Sequence, residues 1–361
     1  MKNCLFLILV LWSTLNFAQN HQHEFSVEVE TNIFFSGIHY QAKGNDMVKL
    51  EIFKALHINH GFSLILEDIP LSIAYFLNQY YETSKEFTFI QNLEKSCITL
   101  ETYESIYFNP KFFTDFNRSS FNHGKVEVHG IGIEYPEWIS VLALHDIIMK
   151  YEVPEELKEL KKLVISLNAK IPESNQSLNI LNPCYIDYRK LLDDFLQIEA
   201  EILKNKELCE SLFGIDYYYF SRIVDSIVIY ITNYNKNKSV VPVQVMTDII
   251  VNNIIAIGNE YPDKKAFVQI GTCSAAKNCN SIAKLINERN DSPFFGKVES
   301  AIVYYKYSRK LSKFGWDRDQ RRALNSLKND DILKIYQIKN SDRIFIDKQN
   351  SYDFIIINDF R

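Results

Sequence analysis

Short apolar runs alternate with stretches of helical period through the first part of the chain. Asn32 to Gly37 (NIFFSG) is an apolar run ended by glycine, which predicts a buried strand. From Asp46 to Asn59, Met47, Leu50, Ile52, Phe53 and Leu56 recur at helical spacing, with Asp46 placed as N-cap and Gly61 as stop. Phe62 to Leu66 (FSLIL) predicts a second buried strand, followed at once by Glu67 and Asp68. Pro70 then opens a helix that runs to about Tyr81. Strand, helix, strand, helix in this order is the pattern of a parallel sheet.

A third strand is predicted over Val126 to Ile133, interrupted by Gly130 and Gly132, and Trp138 to Met149 reads as a helix. From Pro154 to about Tyr234 the pattern is helical almost throughout, with helices over Glu155–Leu167, Asp187–Lys204 (Asp187 as N-cap) and Tyr218–Thr232. The sheet pattern then returns. Pro242–Glu260 and Ser281–Glu288 read as helices, and Lys265–Ile270, Glu299–Lys306 and Tyr352–Asn358 as strands. The predicted class is α/β: a central, mostly parallel sheet flanked by helices, with a large helical insert or cap at about 150–236. Residues 19–361 would form one domain.

The first residues bear on compartment. Lys2 is followed by an unbroken apolar run from Leu5 to Trp12, then by polar residues and Asn16-Phe17-Ala18-Gln19. That layout predicts a signal peptide over residues 1–18, cleaved after Ala18, and an exported chain, periplasmic or secreted. The run is too short to cross a bilayer core of about 30 Å, which needs roughly 20 apolar residues. No later run reaches that length, so no membrane span is expected in the mature chain. Net charge is −5, from 40 basic and 45 acidic residues that are mixed along the sequence. With no basic block, nucleic acid is excluded as an expected partner. Cys97, Cys184, Cys209, Cys273 and Cys279 remain after cleavage, an odd number. Cys273 could pair with Cys279 and Cys184 with Cys209, or all five could be reduced and buried. There is no Cys-x-x-Cys pair to suggest structural zinc, and no cofactor is expected.

In a parallel α/β sheet ligands bind beyond the carboxyl ends of the strands. His39 follows the first strand by two residues, and Glu67, with Asp68, ends the second. If the two strands are neighbours, His39 and Glu67 meet over one mouth. A carboxylate beside an imidazole fixes its tautomer and raises its basicity, which makes a general base. The structural alternative is that His39 caps a turn and Glu67 or Asp68 caps the helix after Pro70.

The stretches IFFSGIHYQ and MVKLEIFKALHINHGFSLILED resemble the start of the erythromycin-esterase-like family. The resemblance implies a strand leading to a catalytic histidine at His39, a helix lysine at Lys49 (allowing a one-residue shift) and an acidic residue at Glu67 after the second strand. VHGIGIEYPEW resembles the family's next strand, VMTDIIVNNI and YPDKKAFVQI its later helix and strand, and YDFIIIND its closing strand. The likeness implies the fold and a site that takes a small-molecule substrate or ligand, with His39 and Glu67 as catalytic residues and Lys49 as a binding residue; Asp68, next to Glu67 at the strand end, is taken as a second binding residue. Departures are equally specific. Where the family carries a glutamate shortly before the histidine, the chain has Ser36, Gly37 and Ile38. Val243 and Gln244 stand in place of Arg-Asp, and Gly271 and Ser274 in place of two histidines. A more distant likeness joins Ser36-Gly37-Ile38-His39 and Glu67 to the haem-uptake and TraB-like metalloprotease groups; it would make His39 and Glu67 metal ligands, but supplies only two.

Other candidates have structural readings beside functional ones. His57 and His60 sit one turn apart before Gly61, where the helix dipole favours them. His145 beside Asp146 fits an amphipathic helix. His21, third after the expected cleavage, could complete a square-planar copper site with a free amine, which cyclisation of Gln19 would remove. Cys273 after a strand could be a nucleophile, and Tyr217, Tyr218 and Tyr219 could line a pocket under the cap or pack in the core. Two functions follow: a divergent exported hydrolase of an ester or lactone, with His39 as general base and Glu67 as its partner, or a catalytically inactive small-molecule-binding protein on the same scaffold.

Overall fold

The computed structural model describes residues 27–39, 42, 45–83, 125–134, 138–170, 191–237, 241–278, 280–308, 312, 316–326, 333–338 and 345–358. The expected signal peptide, His21, Asp187, Cys97, Cys184 and Cys279 lie outside these residues.

A seven-stranded sheet organises the molecule. Its strands are β1 Ile33–Ile38, β2 Phe62–Glu67, β3 Glu127–Gly130, β4 Lys265–Gly271, β5 Val298–Tyr305, β6 Leu333–Gln337 and β7 Phe354–Asn358, in the order β3-β2-β4-β1-β5-β7-β6. All pairs are parallel except β6 on β7. The fold class is therefore the α/β class expected from the pattern. Every residue of β1, β2, β5 and β7 is buried, as inner strands covered on both faces must be, which explains why they read as continuous apolar runs.

Helices cover both faces unequally. On one face, Phe34 and Ile38 of β1, Ile65 of β2, Phe267 of β4, Val303 of β5 and Ile356 of β7 form a core with Val48, Ile52, Phe53 and Leu56 of α1 (Asn45–His60). Among the described helices only α1 contributes to this core. Phe34 and Phe53 both lie against Phe267, with ring centroids 6.4 and 5.9 Å away.

The opposite face carries the larger core. It receives α2 (Leu71–Thr83), α3 (Trp138–Lys150), α4 (Lys158–Ala169), α5 (Leu192–Lys204), α6 (Lys206–Phe213), α7 (Ile215–Lys236) and α8 (Val243–Glu260). The short helices α9 (Thr272–Ala275), α10 (Ile282–Glu288), α11 (Arg318–Ser326) and α12 (Ile346–Gln349) complete the described set. Residues read as one helical stretch thus form α4 to α7. Gly214, at φ 52°, separates α6 from α7, a backbone conformation that glycine adopts without strain.

Three expectations change. The third strand stops at Gly130, not Ile133, because the chain turns over the loop after β2. There Ile131 N–H donates to the Glu67 carbonyl and Gly132 N–H to that of Ile69, both at 2.8 Å. β6, which the apolar pattern did not reveal, pairs antiparallel at the end of the described sheet. Most important, β1 and β2 are not neighbours, for β4 stands between them. The chain supplies this central strand from beyond the helical section, and local βαβ order cannot foretell such an insertion. The axes of β1 and β2 are two strand spacings apart, about 10 Å.

Candidate functional site

The chain leaves β1 towards β2 and β3 on one side, while β5 and β7 lie on the other. In open α/β sheets ligands bind at such a reversal, beyond the carboxyl ends of the strands. Polar residues collect there. Ser36, Gln269 and Glu67 are level across β1, β4 and β2. Side chains alternate between faces along a strand, so these three share the face that carries Phe34, Phe267 and Ile65, beneath α1. All three are buried.

α1 answers this row with two residues one helical turn apart. The ammonium of Lys49 donates to both carboxylate oxygens of Glu67 at 2.8 Å, with the lysine side chain 3% and the carboxylate 6% exposed. Taking two charges out of water is costly unless they are well matched; this pair satisfies that condition. Asn45, the first residue of α1, donates from Nδ2 to the His39 carbonyl at 3.0 Å and accepts at Oδ1 from the Tyr305 hydroxyl at 2.7 Å. The Asn45 carbonyl lies 3.5 Å from Gln269 Nε2, which donates to it.

His39 follows β1 directly and is half-buried. Its backbone N–H donates to the Tyr305 hydroxyl at 3.0 Å, and its carbonyl also accepts from Ala42 N–H at 2.8 Å. Just before it, the Ile38 carbonyl accepts from Thr272 Oγ1 at 3.1 Å. Burial pushes the Tyr305 phenol well above the usual range for tyrosine, although its bond from the His39 backbone works against this. The hydroxyl therefore keeps its proton.

His39, Lys49 and Glu67 thus come to one end of the sheet. The geometry corrects the expected route: the two strand ends are not adjacent, and the carboxylate of Glu67 is held by Lys49. Asp68 lies half-buried in the turn between β2 and α2. Asn45, Gln269 and Tyr305 were not foreseen. Gln269 was visible as the one uncharged polar residue inside KAFVQI, and Asn45 as the residue one turn before Lys49. Tyr305 carried no signal, since an aromatic residue at a strand end reads as core.

His57 is buried; its Nδ1 lies 2.5 Å from the Phe62 carbonyl, and its ring stacks on Phe53. It closes the α1–β2 turn, at whose centre Gly61 has φ 72°. Cys209 is free and buried, and burial pushes its thiol up to about 11. Cys273 is free and exposed on α9. A carboxylate from elsewhere in the chain serves the start of α2. Glu134, from the segment after β3, accepts from Ser72 N–H and Ser72 Oγ at 2.7 Å and from Ser140 Oγ, joining the starts of α2 and α3.

A second buried polar group sits on the opposite face. His129 of β3 stacks on Tyr219 of α7, whose hydroxyl lies 2.9 Å from His129 Nδ1 and accepts from Asn78 of α2. Tyr218 and Tyr219 are buried in this packing, and Tyr217 is partly buried against the same core. Burial pushes the His129 imidazole down, against the pull of Glu127. Burial also raises the Glu127 carboxyl, but His129 and Lys264 more than offset this and hold it at about 2. Among the described residues no three His, Cys, Asp or Glu side chains are grouped to hold a metal ion, and no helix is long and apolar enough to cross a membrane.

No protein-family model and no curated protein matches the sequence. Solved structures do match. A point mutant of the erythromycin esterase EreC, in its open conformation, superposes with a TM-score of 0.62 at 12% identity, over 91% of each chain. A Bacillus cereus protein gives 0.62 at 13% identity, over 91% of this chain and 88% of its own. A succinoglycan biosynthesis protein gives 0.60 at 12%, with the same coverage. At such identities the shared property is the fold: this chain has the α/β fold of these proteins along nearly its whole length.

Proposed function

We propose that this chain is a divergent hydrolase of an ester or lactone, working at the carboxyl ends of β1, β4 and β2. The observation that carries the reading is the buried Lys49–Glu67 pair at the same end of the sheet as His39, in a fold shared with a solved erythromycin esterase. A buried ion pair is weak evidence for stability, because desolvation can exceed the Coulombic gain, which leaves room for a functional role.

In this reading the neutral imidazole of His39 takes a proton from water as the water oxygen bonds to the acyl carbon. The acyl C–O bond then breaks, and the imidazolium returns the proton to the departing alkoxide. The products are a carboxylic acid and an alcohol. Glu67 is the partner of His39 in this reading, its carboxylate fixed in one orientation by Lys49. The small-molecule partner would enter beyond the carboxyl ends of β1 and β4. The export expected from Leu5–Trp12 and Ala18 belongs to the same proposal, with the substrate met outside the cytoplasm.

A second reading rests on a separate observation. β4 ends at Gly271 and runs directly into Thr272–Ala275, so no imidazole stands at that strand end, and Ser36 to Ile38 bring no acid. A protein that binds its small molecule without turning it over fits those positions. Incubation with a panel of esters and lactones, followed by product analysis and thermal shift, separates the two. Turnover supports the hydrolase; a raised melting temperature with the compound recovered intact supports the binding protein.

A further inference from the structure

We infer that Tyr305 and Asn45 are positioning residues for His39, a role that rests on the reading of His39 as the general base. Pairing of β1 ends at Ile38, which is level with Gly271. His39 is thus the first residue without ladder bonds on that side, and its backbone N–H and carbonyl must find other partners. Side chains supply both. Tyr305 Oη accepts from His39 N–H at 3.0 Å, Asn45 Nδ2 donates to the His39 carbonyl at 3.0 Å, and Tyr305 Oη donates to Asn45 Oδ1 at 2.7 Å.

The three bonds close a ring. The hydroxyl gives its one proton and accepts one, and the amide gives one and accepts one. Neither Tyr305 nor Asn45 can turn without breaking two bonds. Both are buried, at 6% and 9% exposure, so water does not easily replace what is lost. The two residues come from elements far apart in sequence, the end of β5 and the start of α1. The Cα of His39 is thereby held against the sheet and the helix together. A base on a loop needs this, because misplacement by about 1 Å can cost on the order of 10²-fold in rate.

The test compares wild type, Tyr305→Phe and Asn45→Asp. Asn45→Asp still accepts from Tyr305 but cannot donate to the His39 carbonyl. NMR of ring-labelled histidine, with the His39 signal assigned by its loss in His39→Ala, reports the imidazole without reference to activity. The expected result is that both variants melt cooperatively while the His39 signal broadens, splits or titrates at a shifted midpoint. With a hydrolysed ester, kcat falls roughly 10-fold or more while KM stays within about twofold. If Tyr305→Phe does not fold, Asn45→Asp decides. If wild type hydrolyses nothing, a changed His39 signal still supports the clamp while the hydrolase reading fails. A single, unmoved His39 signal in the folded variants overturns the clamp, whatever the activity.

Discussion

Asn45 and Lys49 stand one turn apart on α1, and each ties down a different strand end: Asn45 the His39 backbone after β1, and Lys49 the Glu67 carboxylate closing β2. Between them passes β4, whose Gln269 donates to the Asn45 carbonyl. The first turn of a single helix therefore spans three strands. It joins groups that the sheet order keeps apart, and it makes the amino end of α1 the organising element of the site.

Removing one partner of the buried pair leaves the other charge unmatched. Glu67→Gln should destabilise the protein by about 3–5 kcal/mol, whereas the double variant Lys49→Met/Glu67→Leu should recover most of that loss. Urea unfolding of the three proteins measures both quantities. A single variant as stable as wild type would show that Lys49 reaches water when its partner is gone.

Gly130 is placed where β3 passes over the loop after β2. A Cβ there would lie 2.6 Å from the Pro70 carbonyl oxygen and 2.8 Å from that of Ile69, and backbone does not give way as a side-chain tip does. Gly130→Ala should cost about 1–3 kcal/mol. It should also loosen the Glu67 end of β2, since Ile131 N–H donates to the Glu67 carbonyl. Thermal unfolding together with exchange of the Ile131 amide checks this; wild-type values for both would mean the loop shifts without strain.

The two glycines in VHGIGIE were legible as an interruption of a strand, and the structure gives the reason. Most of the fold was legible in the same way, because β1, β2, β4, β5 and β7 are apolar over most of their length and α1, α2, α3, α7 and α8 keep a helical period. β6 was not. Its sequence LKIYQ is short and mixed, as suits a strand that pairs with β7 alone among the described strands. The site was half legible. His39, Lys49 and Glu67 could be picked out from strand ends and a helix position. Their arrangement could not, since it depends on β4 entering between β1 and β2 from far along the chain. Nor could Tyr305, whose part depends on a hydroxyl and not on the ring that its context suggests.

Glu299 gives a pH dependence of defined sign. It is buried at the start of β5, where Glu28 N–H lies 3.5 Å from Oε1. Burial first, then the negative charges of Asp353 and Glu28, push its carboxyl from 4.5 to about 7, with the Thr31 hydroxyl pulling the other way. The folded state thus holds a proton that the unfolded state has lost. The contribution is fully present below about pH 4.5 and disappears as pH rises through about 7. Glu299→Gln should flatten this part of the stability profile. Denaturation at several pH values between these limits measures it, and an identical slope in both proteins would contradict the assignment.

The hydrolase reading comes down to what His39 does. The most direct measurement is kcat/KM for an ester or lactone that the wild-type protein hydrolyses, set against His39→Ala of verified fold. Loss of a general base should lower it by roughly 10²–10⁴-fold. Equal values for the two proteins would remove His39 from the chemistry.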